Sequence, residues 1–143
     1  MVPARFLYVM PGARQRPAVE ERRFGWRLVG ANHRELGRGA QEYADPAECR
    51  AALLRLRERV ADTRATLATA DTAAGGTGGW AWRLELDGRP VAVAGRTYQR
   101  QRDCQFNLGQ FLHALPVAEL AEPAPARPRV RPGGGSGSRA AVR

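Results

Sequence analysis

The chain contains one residue pattern twice, and this internal repeat constrains the fold more than any other feature of the sequence. A Trp-Arg-Leu triplet begins at Trp26 and returns at Trp82, 56 positions later. Each triplet is followed, at a nearly constant offset, by an apolar ladder with spacings of four, three and four residues. The ladders are Cys49, Leu53, Leu56 and Val60 in the first copy and Cys104, Leu108, Phe111 and Leu115 in the second. We therefore predict two repeats, at about residues 5–62 and 64–120.

Each copy has the pattern of a β-hairpin followed by a helix. Across residues 80–86, large apolar side chains alternate with small or charged ones, which is the period of a half-buried antiparallel strand. Asp87-Gly88 then supplies the residue types of a tight turn, and Asn32-His33 lies at the matching place in the first copy. The sequence thus predicts an α+β fold in which two pseudo-symmetric strand-hairpin-plus-helix repeats share one antiparallel sheet, with the helices on one face.

Other segments fit around these hairpins. Residues 5–10 and 64–70 have strand character and precede the two hairpins, while residues 116–120 are a candidate closing strand. The glycine-rich stretch 73–79 is expected to be a flexible joint between the repeats.

The two helices differ in their start signals. Asp45 followed by Pro46 is a strong N-terminal signal, because the carboxylate can accept from free amides and proline fits the first helical turn. The second copy has Arg100 and Gln101 at these positions and also carries Gly109 within the helix. Since glycine costs roughly 1 kcal/mol against alanine in a helix interior, we expect the second helix to be the less stable one.

The end of the chain differs in composition from the rest. Residues 123–143 hold four prolines, four glycines and five arginines but no acidic residue. Such a segment buries too little apolar surface to offset its ordering entropy. We therefore predict a single domain over residues 1–122 and a disordered tail over residues 123–143.

These features resemble the YegP-like tandem-repeat family, small bacterial proteins built on a domain of unknown function. The resemblance covers about Arg5 to Leu120 and rests on the aromatic-x-Trp-Arg-Leu strands, the tyrosine behind each turn, and the segment GANHRELG at Gly30–Gly37. It implies one antiparallel sheet with exchanged C-terminal strands and helices on one face, and it implies no activity. The chain departs from the family where Ala52-Leu53 and Asn107-Leu108 replace a Gly-Ile step in the helices.

The composition excludes several kinds of catalytic site. The chain has no lysine, which removes Schiff-base chemistry and the phosphate lysine of Walker-type loops, and its only serines are Ser136 and Ser138 in the tail. Its two histidines and two cysteines lack the paired spacing of a zinc site. We expect no catalytic residue, no metal site and no cofactor, and we predict that the protein is not an enzyme.

Some residues allow two interpretations. Cys49 and Cys104, at matching positions, could form a redox or metal pair, but small core residues are the simpler reading. The tryptophans could stack on nucleic-acid bases, yet their alternation with leucines favours positions beneath the helices. His33 and His113 are expected on the surface, since no carboxylate partner accompanies them.

The candidate binding residues are arginines. Arg27 and Arg83 alternate with the tryptophans and should project from the open face of the sheet, where they could bind phosphate or carboxylate. The acids Glu35 and Glu85 in the same strands would neutralise part of this charge. In the tail, the candidates are Arg127, Arg129 and Arg131.

Three functions follow from these patterns. The leading hypothesis is a non-enzymatic binding or interaction module that contacts an unidentified protein or ligand through edge strands or the open sheet face. The alternative is an accessory nucleic-acid-binding protein that uses the tail and the open face, and the third is an enzyme whose site lies between the halves. The apolar run at Phe6–Met10 is too short for a signal peptide or a membrane span. We therefore expect a cytoplasmic monomer with an internal pseudo-twofold axis and no membrane contact.

Overall fold

A computed structural model of the chain describes residues 3–9, 23–71 and 77–120. These residues form a mixed α+β fold of six strands and two helices. The strands are β1 (Arg5–Val9), β2 (Gly25–Val29), β3 (Glu35–Gly39), β4 (Arg64–Asp71), β5 (Thr77–Leu86) and β6 (Arg89–Val93). The helices are α1 (Pro46–Glu58) and α2 (Gln101–Ala114), and a short 3₁₀ turn at Val60–Asp62 leads from α1 into β4.

All six strands belong to one antiparallel sheet in the order β1-β2-β3-β6-β5-β4, so β3 and β6 meet at its centre. The predicted hairpin turns are present. Asp87 and Gly88 both have positive φ angles, 54° and 80°, between β5 and β6. His33 has a φ of 66° between β2 and β3. Turns with positive φ match the right-handed twist of the flanking strands, which is why Asp-Gly and Asn-His occur here.

The predicted difference between the helix starts is confirmed. The Asp45 carboxylate accepts a hydrogen bond from the Ala47 amide at 2.8 Å, and Pro46 is the first residue of α1. At the matching place before α2, Arg100 forms no side-chain cap. The amides in the first turn of α2 therefore lack the partner that the Asp45 carboxylate gives α1.

Both helices bury their apolar ladders against the same face of the sheet, as expected, except that Val60 of the first ladder lies in the 3₁₀ turn and is half-buried. The tryptophans of β2 and β5 lie beneath the helices, and the ring of Phe111 contacts both of them. Its centroid lies 6.2 Å from that of Trp26 and 4.7 Å from that of Trp82. One continuous core results, and its largest members are Trp26, Leu28, Leu53, Leu56, Trp82, Leu84, Phe111 and Leu115.

Gly37 in β3 is required by the close approach of these rings. A Cβ atom there would lie 2.6 Å from Cδ1 of Phe111 and 2.8 Å from Cη2 of Trp82. Both neighbours are rigid rings inside a packed core, so neither can move aside cheaply. The glycine therefore determines how deeply α2 sits on the sheet.

Two of the expected segments differ from the prediction. Residues 116–120 do not form a closing strand: Glu119 makes a single parallel bridge to Arg5 of β1. The Arg57 guanidinium holds this segment by donating to the carbonyl oxygens of Pro116 and Ala118, at 2.7 and 3.3 Å. The joint predicted at residues 73–79 is also shorter, because β5 already begins at Thr77.

Replacing Gly37 by alanine is expected to lower the free energy of unfolding by about 1–3 kcal/mol, because the added methyl group overpacks the core. The matched control is Gly109→Ala in α2, where a new Cβ meets no atom within 4 Å. This control should raise stability by up to about 1 kcal/mol through helix propensity. Urea denaturation measures the free energy of unfolding of both variants. Equal stability of the two variants would contradict the packing of Gly37 against the rings.

Candidate functional site

The open face of the sheet carries the two arginines that the sequence analysis singled out. The side chains of Arg27 and Arg83 are 45% and 52% exposed, while the neighbouring tryptophans are buried. Arg27 pairs in register with Arg38, Arg38 with Val93, and Val93 with Arg83. Because registered residues on antiparallel strands share a face, these side chains form one row across the sheet. Arg127, Arg129 and Arg131 lie outside the described residues.

Acidic side chains occupy much of this row. The Glu35 carboxylate accepts two hydrogen bonds from Arg38, at 2.7 and 2.9 Å, and lies 3.6 Å from Nε of Arg27. Glu85 pairs with Arg83 at 2.9 Å. The open face is therefore a mixed-charge surface, which reduces the positive potential that an anionic polymer would meet.

Two clefts flank the central strands, and sequence reasoning missed both. The α2 cleft, of about 810 Å³, lies between the β2–β3 hairpin, the loop before α2 and α2 itself. The α1 cleft, of about 620 Å³, lies between the β5–β6 hairpin, the loop before α1 and α1. Each cleft thus takes its hairpin from one half of the chain and its helix from the other. Both volumes are in the range of small-molecule sites.

Several lining positions of the two clefts correspond at the 55-residue offset. Arg34 of the α2 cleft occupies the position of Arg89 in the α1 cleft, and Tyr98 occupies that of Tyr43, each 55 residues apart. A tyrosine is protonated at neutral pH, and burial raises the pKa of both Tyr43 and Tyr98 further, so each presents a hydroxyl rather than a charge. The offset found in the sequence therefore also relates these positions of the two clefts.

One acid in each cleft is engaged by an arginine outside the lining. In the α1 cleft, Arg59 binds the Asp87 carboxylate through two nitrogens, at 2.6 and 3.1 Å. These hydrogen bonds hold the pKa of Asp87 below its usual range. In the α2 cleft, Arg38 binds Glu35 in the same two-pronged manner. Such carboxylates contribute little uncompensated negative charge to the cleft walls.

Asn107 distinguishes the α2 cleft from the α1 cleft. It is 5% exposed and is the only buried polar side chain among the residues described. Its Oδ1 accepts a hydrogen bond of 2.5 Å from the Trp82 indole N–H. Ala52 stands at the matching position of the α1 cleft. An asparagine within the apolar stripe of a helix is the sequence signal that could have pointed to this cleft.

The cysteines are core residues. Cys49 and Cys104 are free thiols with no exposed surface. Burial raises the pKa of Cys104 and raises that of Cys49 to about 11. Neither thiol therefore has the low pKa and exposure of a reactive cysteine, which favours the simpler of the two interpretations above.

The described residues also lack two other features. They hold no group of three or more His, Cys, Asp or Glu side chains arranged to bind a metal ion. No helix in this part of the chain is long and apolar enough to cross a membrane.

Comparison with known proteins relates the chain to one other by fold. No protein-family model matches the chain, and no curated protein matches it. The structure is similar to the solution NMR structure of yegP from E. coli, a protein of unknown function. The TM-score is 0.55 at 8% sequence identity, over 97% of this chain and 98% of that chain. At this identity the similarity concerns the fold alone, which agrees with the α+β class that the sequence predicts.

The buried thiols should resist alkylation in the folded protein. At pH 8 we expect iodoacetamide to react on the order of a hundredfold more slowly with the native chain than with the urea-unfolded chain. Since the pKa of Cys49 is raised, the unfolded chain ionises first, and stability should fall as the pH rises from about 9 to about 11. Mass spectrometry measures the labelling, and rapid native labelling at pH 8 would contradict the burial.

Glu35→Gln should release Arg27 and Arg38 and strengthen binding to a polyanion. We expect this variant to elute from heparin at higher salt than the parent and to lose about 0.5–1 kcal/mol of stability. Glu48→Gln is the matched control, because it makes the same charge change at an exposed position on α1. If both variants elute at the same salt concentration, the effect comes from net charge alone, and the expected release of Arg27 and Arg38 is wrong.

Proposed function

We propose that this protein is a non-enzymatic binding protein of two pseudo-symmetric repeats, and that its ligand occupies the α2 cleft. The observation that carries the proposal is the construction of each cleft from the hairpin of one half and the helix of the other. A single repeat would supply only one wall of such a cleft. The doubled chain therefore gains a concave site as well as a larger core.

Three structural details support the proposal that the two halves are repeats. Both hairpins carry a register shift at the same place, between Leu28 and Val29 and between Leu84 and Glu85. The residue ahead of each hairpin bridges the tyrosine behind it, Phe24 to Tyr43 and Trp80 to Tyr98. The central register of Arg38 with Val93 joins two positions that are themselves equivalent, 55 residues apart. Matching irregularities of this kind are expected from a duplication, since bulges are retained within families.

The chemistry of the α2 cleft favours binding over catalysis. Its lining residues include no histidine, cysteine, serine or threonine among those the structure describes. Of its two carboxylates, Glu35 is bound by Arg38, and Asp103 is exposed in the first turn of α2. This wall therefore offers hydrogen-bond donors and a shaped surface rather than a nucleophile with its base.

Nucleic-acid binding stays a prediction. Its tail arginines lie outside the described residues, and on the open face Arg27 and Arg83 each have a carboxylate within 4.0 Å. Nothing observed favours it over ligand binding. The cytoplasmic location and the monomeric state also stay predictions from the sequence.

A small-molecule screen on the ¹⁵N-labelled full chain tests the proposal. We expect a subset of compounds to shift the backbone amides of Asn32–Leu36 together with those of α2. The matching amides of the β5–β6 hairpin and α1 serve as an internal reference, because they line the α1 cleft. A broad library that leaves both clefts unshifted, or shifts only the open face, would refute the proposed site.

A further inference from the structure

The amide of Asn107 has donors left for a ligand. Because its Oδ1 already accepts from the Trp82 indole, the orientation of the amide group is fixed. Asn107 forms part of the α2 cleft wall, and although the residue as a whole is 5% exposed, its Nδ2 is not one of the buried nitrogen atoms that lack a partner. Since the amide is fixed at the cleft wall with Oδ1 turned to the indole, its N–H groups are the part of Asn107 that can donate to an acceptor in the cleft.

Two guanidinium groups reach the same cleft. Neither Arg34 nor Arg96 has a carboxylate within 4.0 Å among the described residues, and both are exposed. Arg96 lies over the Tyr98 ring, with its Cζ 5.0 Å from the ring centroid, and this contact positions its charge at the cleft wall. The opposing charge comes from Asp103, because Glu35 is already bound by Arg38. Together, the two arginines and Asp103 leave one net positive charge beside the Asn107 amide.

The cleft also has an apolar side. Phe106 of α2 is 68% exposed, one of the few large apolar side chains left at the surface of the described residues. Leu36 of β3 lies in the same wall and is half-buried. An occupant that covered both would remove apolar surface from water, which is favourable in proportion to the area covered.

The α1 cleft has two arginines of its own, Arg55 and Arg89, but it differs from the α2 cleft at three other positions. Ala52 replaces Asn107, and Gln41 occupies the position of Arg96. Ala51 stands where α2 has Phe106. The two clefts thus share a backbone framework and have two arginines each, and they differ in the Asn107 amide, in the position of the second arginine and in the exposed Phe106 ring.

From these contacts we infer that the α2 cleft binds a small organic anion, with a carboxylate or phosphate held by Arg34, Arg96 and the Asn107 amide and an apolar body lying against Phe106. The inference rests on the proposed function and deepens it by naming the ligand class. Bidentate guanidinium groups and an amide N–H are the donors that suit a planar carboxylate. The ligand's apolar part distinguishes it from a bare inorganic ion.

The test titrates the ¹⁵N-labelled full chain with 2-naphthoate, 2-naphthyl phosphate and the neutral 2-naphthamide. We expect either anion to shift the side-chain amide signals of Asn107 and the backbone amides of the β2–β3 hairpin. The neutral amide should bind at least about tenfold more weakly, because it lacks the charge that the arginines recognise. Comparing the two anions shows whether carboxylate or phosphate is preferred.

Matched variants assign the contacts. Arg34→Ala should weaken 2-naphthoate binding about tenfold, whereas Arg89→Ala, its counterpart in the α1 cleft, should leave binding unchanged. Phe106→Ala should weaken it as well. Asp103→Asn should tighten it about two- to threefold, because it removes the opposing charge. All four positions are exposed, so the variants are expected to fold.

Each result has a defined meaning. Equal binding of 2-naphthoate and 2-naphthamide, or equal losses in the Arg34 and Arg89 variants, would overturn the anion site. If neutral library compounds shift the α2 cleft while 2-naphthoate does not, this inference fails and the proposed function stands. If no compound shifts either cleft, both fail.

Discussion

The contact of Phe111 with two indole rings holds this fold together. One indole comes from β2 and the other from β5, so a single side chain of α2 packs against both halves of the sheet. The approach depends on Gly37, whose missing side chain leaves the space that the rings fill. Since α2 is seated on the first half as well as the second, its exposed flank faces the β2–β3 hairpin. The α2 cleft is therefore a consequence of how the core is packed.

Much of the fold could be predicted because local patterns determine it. Alternation in β5 places Trp82 and Leu84 in the core and Arg83 on the open face, and Asp45 with Pro46 marks the start of α1. The single bridge of Glu119 to β1 could not be predicted from local patterns, because it depends on a partner that lies far away in the sequence. The extension of β5 into the glycine-rich stretch likewise reflects pairing with β4, which overrides the weak strand propensity of glycine.

The candidate site was less accessible to sequence reasoning than the fold. The directions of Arg27 and Arg83 followed from strand periodicity, and the neutralising acids beside them were anticipated. The clefts could not be predicted, because each joins segments that lie far apart in the sequence. No local pattern determines which helix will face which hairpin. Asn107 enters the sequence analysis only as a departure from the family pattern, and its role follows from its hydrogen bond to the Trp82 indole, which the sequence does not show.

The contact between Glu119 and β1 also brings the two ends of the described chain together. The segment behind α2 returns to the outer edge of β1, where the Phe6 amide donates to the Glu119 carbonyl and the Glu119 amide donates to Ala4, each at 2.9 Å. The connection between α1 and β4, in contrast, is only a short 3₁₀ turn. A circular permutant that opens at this turn and joins residue 120 to residue 3 through an added linker, which the parallel bridge requires, should keep all six strands and both helices with the order of the halves reversed. In such a fold, the architecture does not require either hairpin-and-helix unit to come first in the sequence.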